Sequence, residues 1–187
     1  VGFQRVTVNP AQPDVAVETL IYAQGSPDVP IAMREIEELS RRLCAQTQTG
    51  KTQIPCENGT IKVAYDDDSS WPFVWYLRNY RNAQFYGGNP NAPFHAPVVI
   101  AGPKNEEAIK PFLGNRYLRR QYKLIWWPLE GYKDLSLARV GKYFTDEEER
   151  KGLFDAWCYR KYKESLNSWP YVHPFAFYVR KDVASLL

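Results

Sequence analysis

With 187 residues and a formal net charge of +3, the chain is long enough to bury its own core, and its basic residues are interleaved with acids. Apart from the short cluster Arg119, Arg120 and Lys123 it has no basic footprint, so nucleic acid is not an expected partner. No stretch approaches the roughly eighteen apolar residues that cross a bilayer, while six Trp, thirteen Tyr and nine Phe point to an aromatic core and to aromatic binding surface.

The start at Val1, without Met and without a basic-then-apolar signal pattern, leads us to expect a piece of a longer protein. Val1 to Val8 alternates weakly and runs into the turn-rich Asn9 to Asp14, so residues 1–16 read as a connector from an upstream segment. Val17 to Ala23 predicts a buried strand. Ser26 can cap the next helix, with Pro27 at its first position and Asp28 at the positive end of its dipole. Val29, Ala32, Met33, Ile36, Leu39 and Leu43 recur at helical spacing, and Glu37 with Arg41 and Glu38 with Arg42 form expected surface pairs.

Ala45 to Gly59 is polar and predicts a surface excursion. Its Asn58, Gly59 and Thr60 match the N-glycosylation acceptor pattern, and equally make a tight turn into the next strand. Cys44 and Cys56 could close a disulfide across this excursion; three free thiols, counting Cys158, are the equal alternative, and no cysteine pair has metal-ligand spacing.

Ile61 to Tyr65 reads as a strand ending in Asp66, Asp67 and Asp68. Ser69 or Ser70 can cap the helix that follows, and Pro72 suits its first turn. Trp71, Phe73, Val74, Trp75, Tyr76, Leu77 and Tyr80 are too many apolar groups for one stripe, so this helix is expected to be buried on most sides. Ala83 to Tyr86 and Pro97 to Ala101 predict two more strands around a Gly, Asn and Pro-rich loop, the second apolar throughout at Val98, Val99 and Ile100. Gly102, Pro103, Lys104 and Asn105 repeat the strand, turn, cap pattern, opening a helix that Pro111 shortens or kinks and Gly114 stops. Tyr117 to Trp127 is a long strand. Thr145 to Glu148 is a capping box for a helix to about Tyr162, and Phe175 to Arg180 is the last strand. This alternation predicts an α/β fold, a three-layer sandwich with a mostly parallel central sheet, helices on both faces and an added C-terminal helix and strand, with residues 17–187 as one domain.

Ligands of open α/β sheets bind where strands end and helices begin. Asp66, Asp67 and Asp68 are there, and several carboxylates at a strand end suit Mg²⁺, Mn²⁺ or Ca²⁺, although neighbouring side chains point to opposite faces. The alternative is that one Asp serves the helix cap and the others are solvated. Trp126, Trp127, Pro128, Leu129, Glu130, Gly131 and Tyr132 lie at another strand end, which in a parallel sheet would share an edge with the Asp run. Rings beside carboxylates suit a sugar, whose apolar face stacks while its hydroxyls bond to acids; core and lid is the competing reading of Trp126 and Trp127. His95 and His173 sit in no ligand spacing, and there is neither a nucleophile elbow nor a phosphate loop. A glycosidase carboxylate pair is set by fold and not by spacing, so the sequence leaves it open.

Three segments resemble a known family: Tyr22 to Asp28, Asp67 to Arg78 with its Trp71-Pro72-Phe73-Val74-Trp75-Tyr76 core, and Phe177 to Asp182. They are similar to the soluble C-terminal domain of GT-C type integral-membrane glycosyltransferases, namely the dolichyl-phosphate-mannose protein mannosyltransferases and the flippase-associated proteins of archaeal N-glycosylation. The likeness runs from about Asn9 to Asp182. It implies an extracytoplasmic domain at the face of the cell membrane, with a parent transmembrane region as partner. The family's catalytic acid sits in a loop between the first membrane helices, which is not in this sequence, so the resemblance implies a domain that recognises or positions a glycan, lipid-linked sugar or acceptor without transferring sugar. Asp67, Asp68, Trp71, Trp126, Trp127, Glu130 and Tyr132 are then the candidate ligand-binding positions. The Trp126-Trp127 pair is also similar to an oligosaccharyltransferase motif, but Pro128 stands where that motif has Asp, and no role is carried over. Two other readings compete. One is a free-standing α/β enzyme using a divalent cation on Asp66, Asp67 and Asp68; the other is a structural domain packing on its membrane parent.

Overall fold

The computed structural model describes residues 23–47, 60–92, 95–127, 133, 135–159 and 168–186, with backbone alone at 46 and 47. The segment 1–22, most of the 45–59 excursion with Cys56 and Asn58, and Glu130 and Tyr132 lie outside these residues. The elements are β1 (Gln24–Gly25), α1 (Asp28–Thr47), β2 (Val63–Tyr65), α2 (Ser70–Tyr76), β3 (Ala83–Phe85), β4 (Val98–Ala101), α3 (Pro103–Leu113), a 3-10 turn (Gly114–Arg116), β5 (Tyr117–Trp126), α4 (Leu137–Thr145), α5 (Glu147–Tyr159), β6 (Val172–Arg180) and α6 (Lys181–Ala184).

The chain divides into two units. The larger comprises Asp28–Leu124 and Pro174–Leu187, the smaller Val1–Pro27 and Ile125–His173. The fold is α/β, with a six-stranded sheet in the order β1-β5-β6-β4-β2-β3. The expected mostly parallel three-layer sandwich is not what forms, because the sheet is mixed. β2 is parallel to both β3 and β4, with Tyr65 opposite Phe85 and Ile100, but β6 runs antiparallel to β4, with Ile100 opposite Phe177. The reason is physical. A strand covered on both faces is apolar along its whole length whichever way its neighbour runs, so the runs in β4 and β6 carry no record of direction.

Within the larger unit β6 shows this double burial. Phe175 meets Phe73 of α2 edge-on at 5.1 Å, and both Phe175 and Phe177 pack on Tyr122. Ala176 and Tyr178, on the other face by strand alternation, join Ala64, Val99, Ala101, Ile109, Leu113 and Tyr117 in a cluster under α3. α1 buries Val29, Ala32, Met33, Ile36 and Leu39, as the spacing predicts. Of its two expected charged pairs Glu38 with Arg42 is formed, while Arg41 goes to the same Glu38 and not to Glu37. Both pairs are exposed and contribute little. Cys44, near the end of α1, is disulfide-bonded, and Cys158 in α5 is free.

In the smaller unit β1 pairs antiparallel with the end of β5, Gln24 opposite Trp126. α4 has no counterpart among the expected elements. Ser136 caps it, its side chain accepting from the Arg139 N–H. Thr145 closes α4 instead of opening the next helix, and Asp146 caps α5 by accepting from the Glu148 N–H at 2.9 Å.

Candidate functional site

Because β2 and β4 are parallel neighbours in register, their C-terminal ends deliver two loops to one place. The first carries Asp66 to Ser70, the second Gly102 to Asn105. Asp66 is fully buried, and its carboxylate is the joint between them. Oδ1 accepts from the Ser69 N–H at 2.8 Å and from the Ser69 hydroxyl; Oδ2 accepts from the Gly102 N–H at 2.9 Å and from the Asn105 Nδ2 at 2.8 Å. A buried carboxylate needs such donors, since each oxygen left unpaired away from water is costly.

The other two acids extend the joint. Asp67 accepts from Asn105 Nδ2 at 2.6 Å and from Lys104 Nζ at 2.8 Å, and Asp68 Oδ2 accepts from the Lys104 N–H at 3.1 Å. The hydrogen bond from Lys104, then that from Asn105, holds the Asp67 carboxyl below the usual range. The same contact pushes the Lys104 ammonium up. Gly102 has no side chain for a steric reason: a Cβ there would overlap the Asp68 carboxylate. The loop after β3 also reaches this region, since a Cβ on Gly88 would stand 3.6 Å from the Asn105 Oδ1. Tyr86 donates to the Ile100 carbonyl at 3.0 Å, and burial, helped by the negative charge of Asp66, raises its phenol well above the ordinary value.

The Asp run is thus brought together by protein donors, and Ser69 stands at the N-cap of α2, as expected, but without a side-chain capping bond, its own N–H and hydroxyl donating to Asp66. All three carboxylates accept from the chain itself, and among the described residues no group of three His, Cys, Asp or Glu is placed to hold a metal ion. Lys104, Gly102 and Asn105 complete the arrangement. Their signal was the repeated strand, turn, cap pattern, which becomes a partnership only once β2 and β4 are known to be neighbours.

α2 is seven residues long, and one of its sides faces out. Trp71 is still extended, as a residue before proline prefers, so helical geometry begins at Pro72. Phe73 and Leu77 point inward. Trp71, 69 % exposed, and Trp75, 58 % exposed, stand in solvent with Val74 and Tyr76, which corrects the expectation of burial on most sides. A short helix laid on a sheet has one inward face, and two large side chains fill it. The Arg78 guanidinium lies over the Trp75 ring at 4.1 Å and donates to the Trp75 carbonyl at 2.6 Å.

The smaller unit holds the other pair of expected binding aromatics. Trp126 is buried and half-buried Trp127 is tied through its backbone, its N–H donating to the Tyr171 carbonyl at 3.0 Å and its carbonyl accepting from Trp169 Nε1 at 2.9 Å. The core reading therefore describes Trp126. His95 contributes its backbone carbonyl to Arg180 at 3.0 Å. No protein-family model, curated protein or solved structure matches this chain.

Proposed function

We propose that this chain is a non-catalytic recognition domain of a glycosyltransferase-like integral-membrane parent, held at the extracytoplasmic face and binding a glycan, lipid-linked sugar or acceptor on the outer side of α2. The observation that carries the reading is the exposure of Trp71 and Trp75 on a helix whose first turn is fastened to the sheet through Asp66 and Ser69. Two large rings kept in water are a stacking platform for the apolar face of a sugar, and a fixed base lowers the ordering cost of binding. Asp67, Lys104 and Asn105, at the start of the same segment, supply polar groups of the kind that bond to hydroxyls. The family resemblance supplies the membrane parent and the glycan as substrate class.

Calorimetric titration of the protein with mannose-containing and other oligosaccharides tests this reading. Binding by the wild type that Trp71→Ala abolishes is the expected result. Binding that persists unchanged in Trp71→Ala and in Trp75→Ala places any sugar site elsewhere.

A further inference from the structure

Trp71, Trp75 and Arg78 follow one another at i, i+4 and i+7, and Leu77 caps α2, so a cation stands just past the end of its exposed side. The Arg78 guanidinium lies over the Trp75 ring at 4.1 Å, and its Nη1 donates to the Trp75 carbonyl at 2.6 Å. A cation at the last carbonyls of a helix is by itself ordinary capping. Two further observations point to a ligand. Arg78 is exposed and, among the described residues, no carboxylate pairs with it, whereas Arg119, Arg120 and Arg180 in the same unit each hold one. Residues 69–105 also carry Arg78, Arg81 and Lys104 and contain no Asp or Glu, in a chain that elsewhere interleaves its charges.

The acids nearest in sequence, Asp67 and Asp68, lie at the opposite end of α2, where Lys104 donates to both, through its ammonium and through its backbone N–H. The platform therefore has two unlike ends. One presents carboxylates to hydroxyls, and the other presents a guanidinium fork laid on a ring. A neutral sugar leaves that fork unanswered. A hexuronic acid answers it, because its pyranose ring keeps the apolar face that stacks on an indole, while the carboxylate on its sixth carbon projects from the ring edge as a planar anion. A guanidinium meets such an anion with two parallel N–H···O bonds, and one already held on a ring has less freedom to lose on binding. We propose that the α2 site selects a glycan containing a hexuronic acid, the acidic sugar lying at the Trp75 end of the platform with its carboxylate on Arg78. This rests on the reading of α2 as a sugar platform and narrows its ligand from any glycan to an acidic one.

Calorimetric titration with mannotetraose and with the tetramer of mannuronic acid in the same β-1,4 linkage tests the proposal, because the two differ only in a hydroxymethyl group against a carboxylate. At low salt the wild type is expected to bind the mannuronate tetramer about fivefold tighter, the advantage an exposed ion pair gives, and added salt should narrow the difference. Arg78→Gln should bring the ratio of the two affinities to about one. Arg78→Lys, which keeps the charge and loses the fork, should fall between. Losing the stacked cation also frees the Trp75 ring, so the ratio is read and not either affinity alone. Arg78 is a surface residue, and circular dichroism checks that the variants remain folded. Equal affinities in the wild type, or a preference that Arg78→Gln retains, overturns the proposal and leaves the platform standing. Failure of the mannuronate tetramer to bind overturns it as well, and if no neutral oligosaccharide binds either, the platform reading falls with it.

Discussion

Asp66, at the end of β2, accepts a hydrogen bond from the Gly102 N–H at 2.9 Å across thirty-six residues of chain. The same carboxylate receives Ser69 and Asn105, so one buried side chain joins the start of α2 to the start of α3. Asp66→Ala leaves those donors without their acceptor in a dry place. It is expected to cost about 3 kcal/mol or more, read as a lower urea midpoint at unchanged m-value.

Gly102→Ala forces a methyl into the Asp68 carboxylate. Overpacking of this kind costs on the order of 1–3 kcal/mol. In an Asp68→Gly background, where the obstructing side chain is gone, the same substitution should cost markedly less. A double-mutant cycle measures the coupling, and equal penalties in both backgrounds would contradict the steric account.

Acid should weaken the larger unit through Glu106. Its carboxyl is held below the usual range chiefly by Arg119, whose Nη2 donates to Oε2 at 3.0 Å, with Tyr178 donating to Oε1 at 2.8 Å against the opposing effect of burial. A carboxyl depressed in the folded state adds stability that is complete above its unfolded value, about 4.3, and is lost as pH falls through the folded value. Asp67 acts in the same sense, more weakly because it is exposed. Glu106→Gln should therefore lower stability at neutral pH and flatten its fall below about pH 4. A pH series of denaturation midpoints reads both effects.

The two sides of α2 should separate stability from binding. Phe73→Ala empties a fully buried site against Phe175 and is expected to cost about 3–5 kcal/mol. Trp71→Ala removes a ring that stands in water and should change stability by no more than about 0.5 kcal/mol. A large loss of stability in Trp71→Ala would mean that the ring is a packing element.

The sequence shows the parts of this fold more readily than their arrangement. Periodicity marks α1, and the Asp run after β2 and the Gly102 turn after β4 are both legible as strand ends, because turn and cap chemistry is local. That Asp66 and Asn105 meet depends on β2 and β4 being neighbours, which no local pattern records. β6 shows the limit most clearly. Phe175 to Val179 is apolar on both faces, so it reads as a strand, yet its antiparallel place between β5 and β4 is a tertiary fact. α2 was misleading for the opposite reason. Its aromatic content suggests burial, but the inward face is satisfied by Phe73 and Leu77, and Trp71 and Trp75 are left for another use.

The central claim is that Trp71 and Trp75 form a sugar platform, and indole N–H signals from nitrogen-15 spectra test it most directly. Titration with oligosaccharide should move the signals that Trp71→Ala and Trp75→Ala assign to these two rings, while buried Trp126 stays in place. Indole signals of Trp71 and Trp75 that remain unmoved, while the oligosaccharide binds by calorimetry or shifts other tryptophans, would contradict the account.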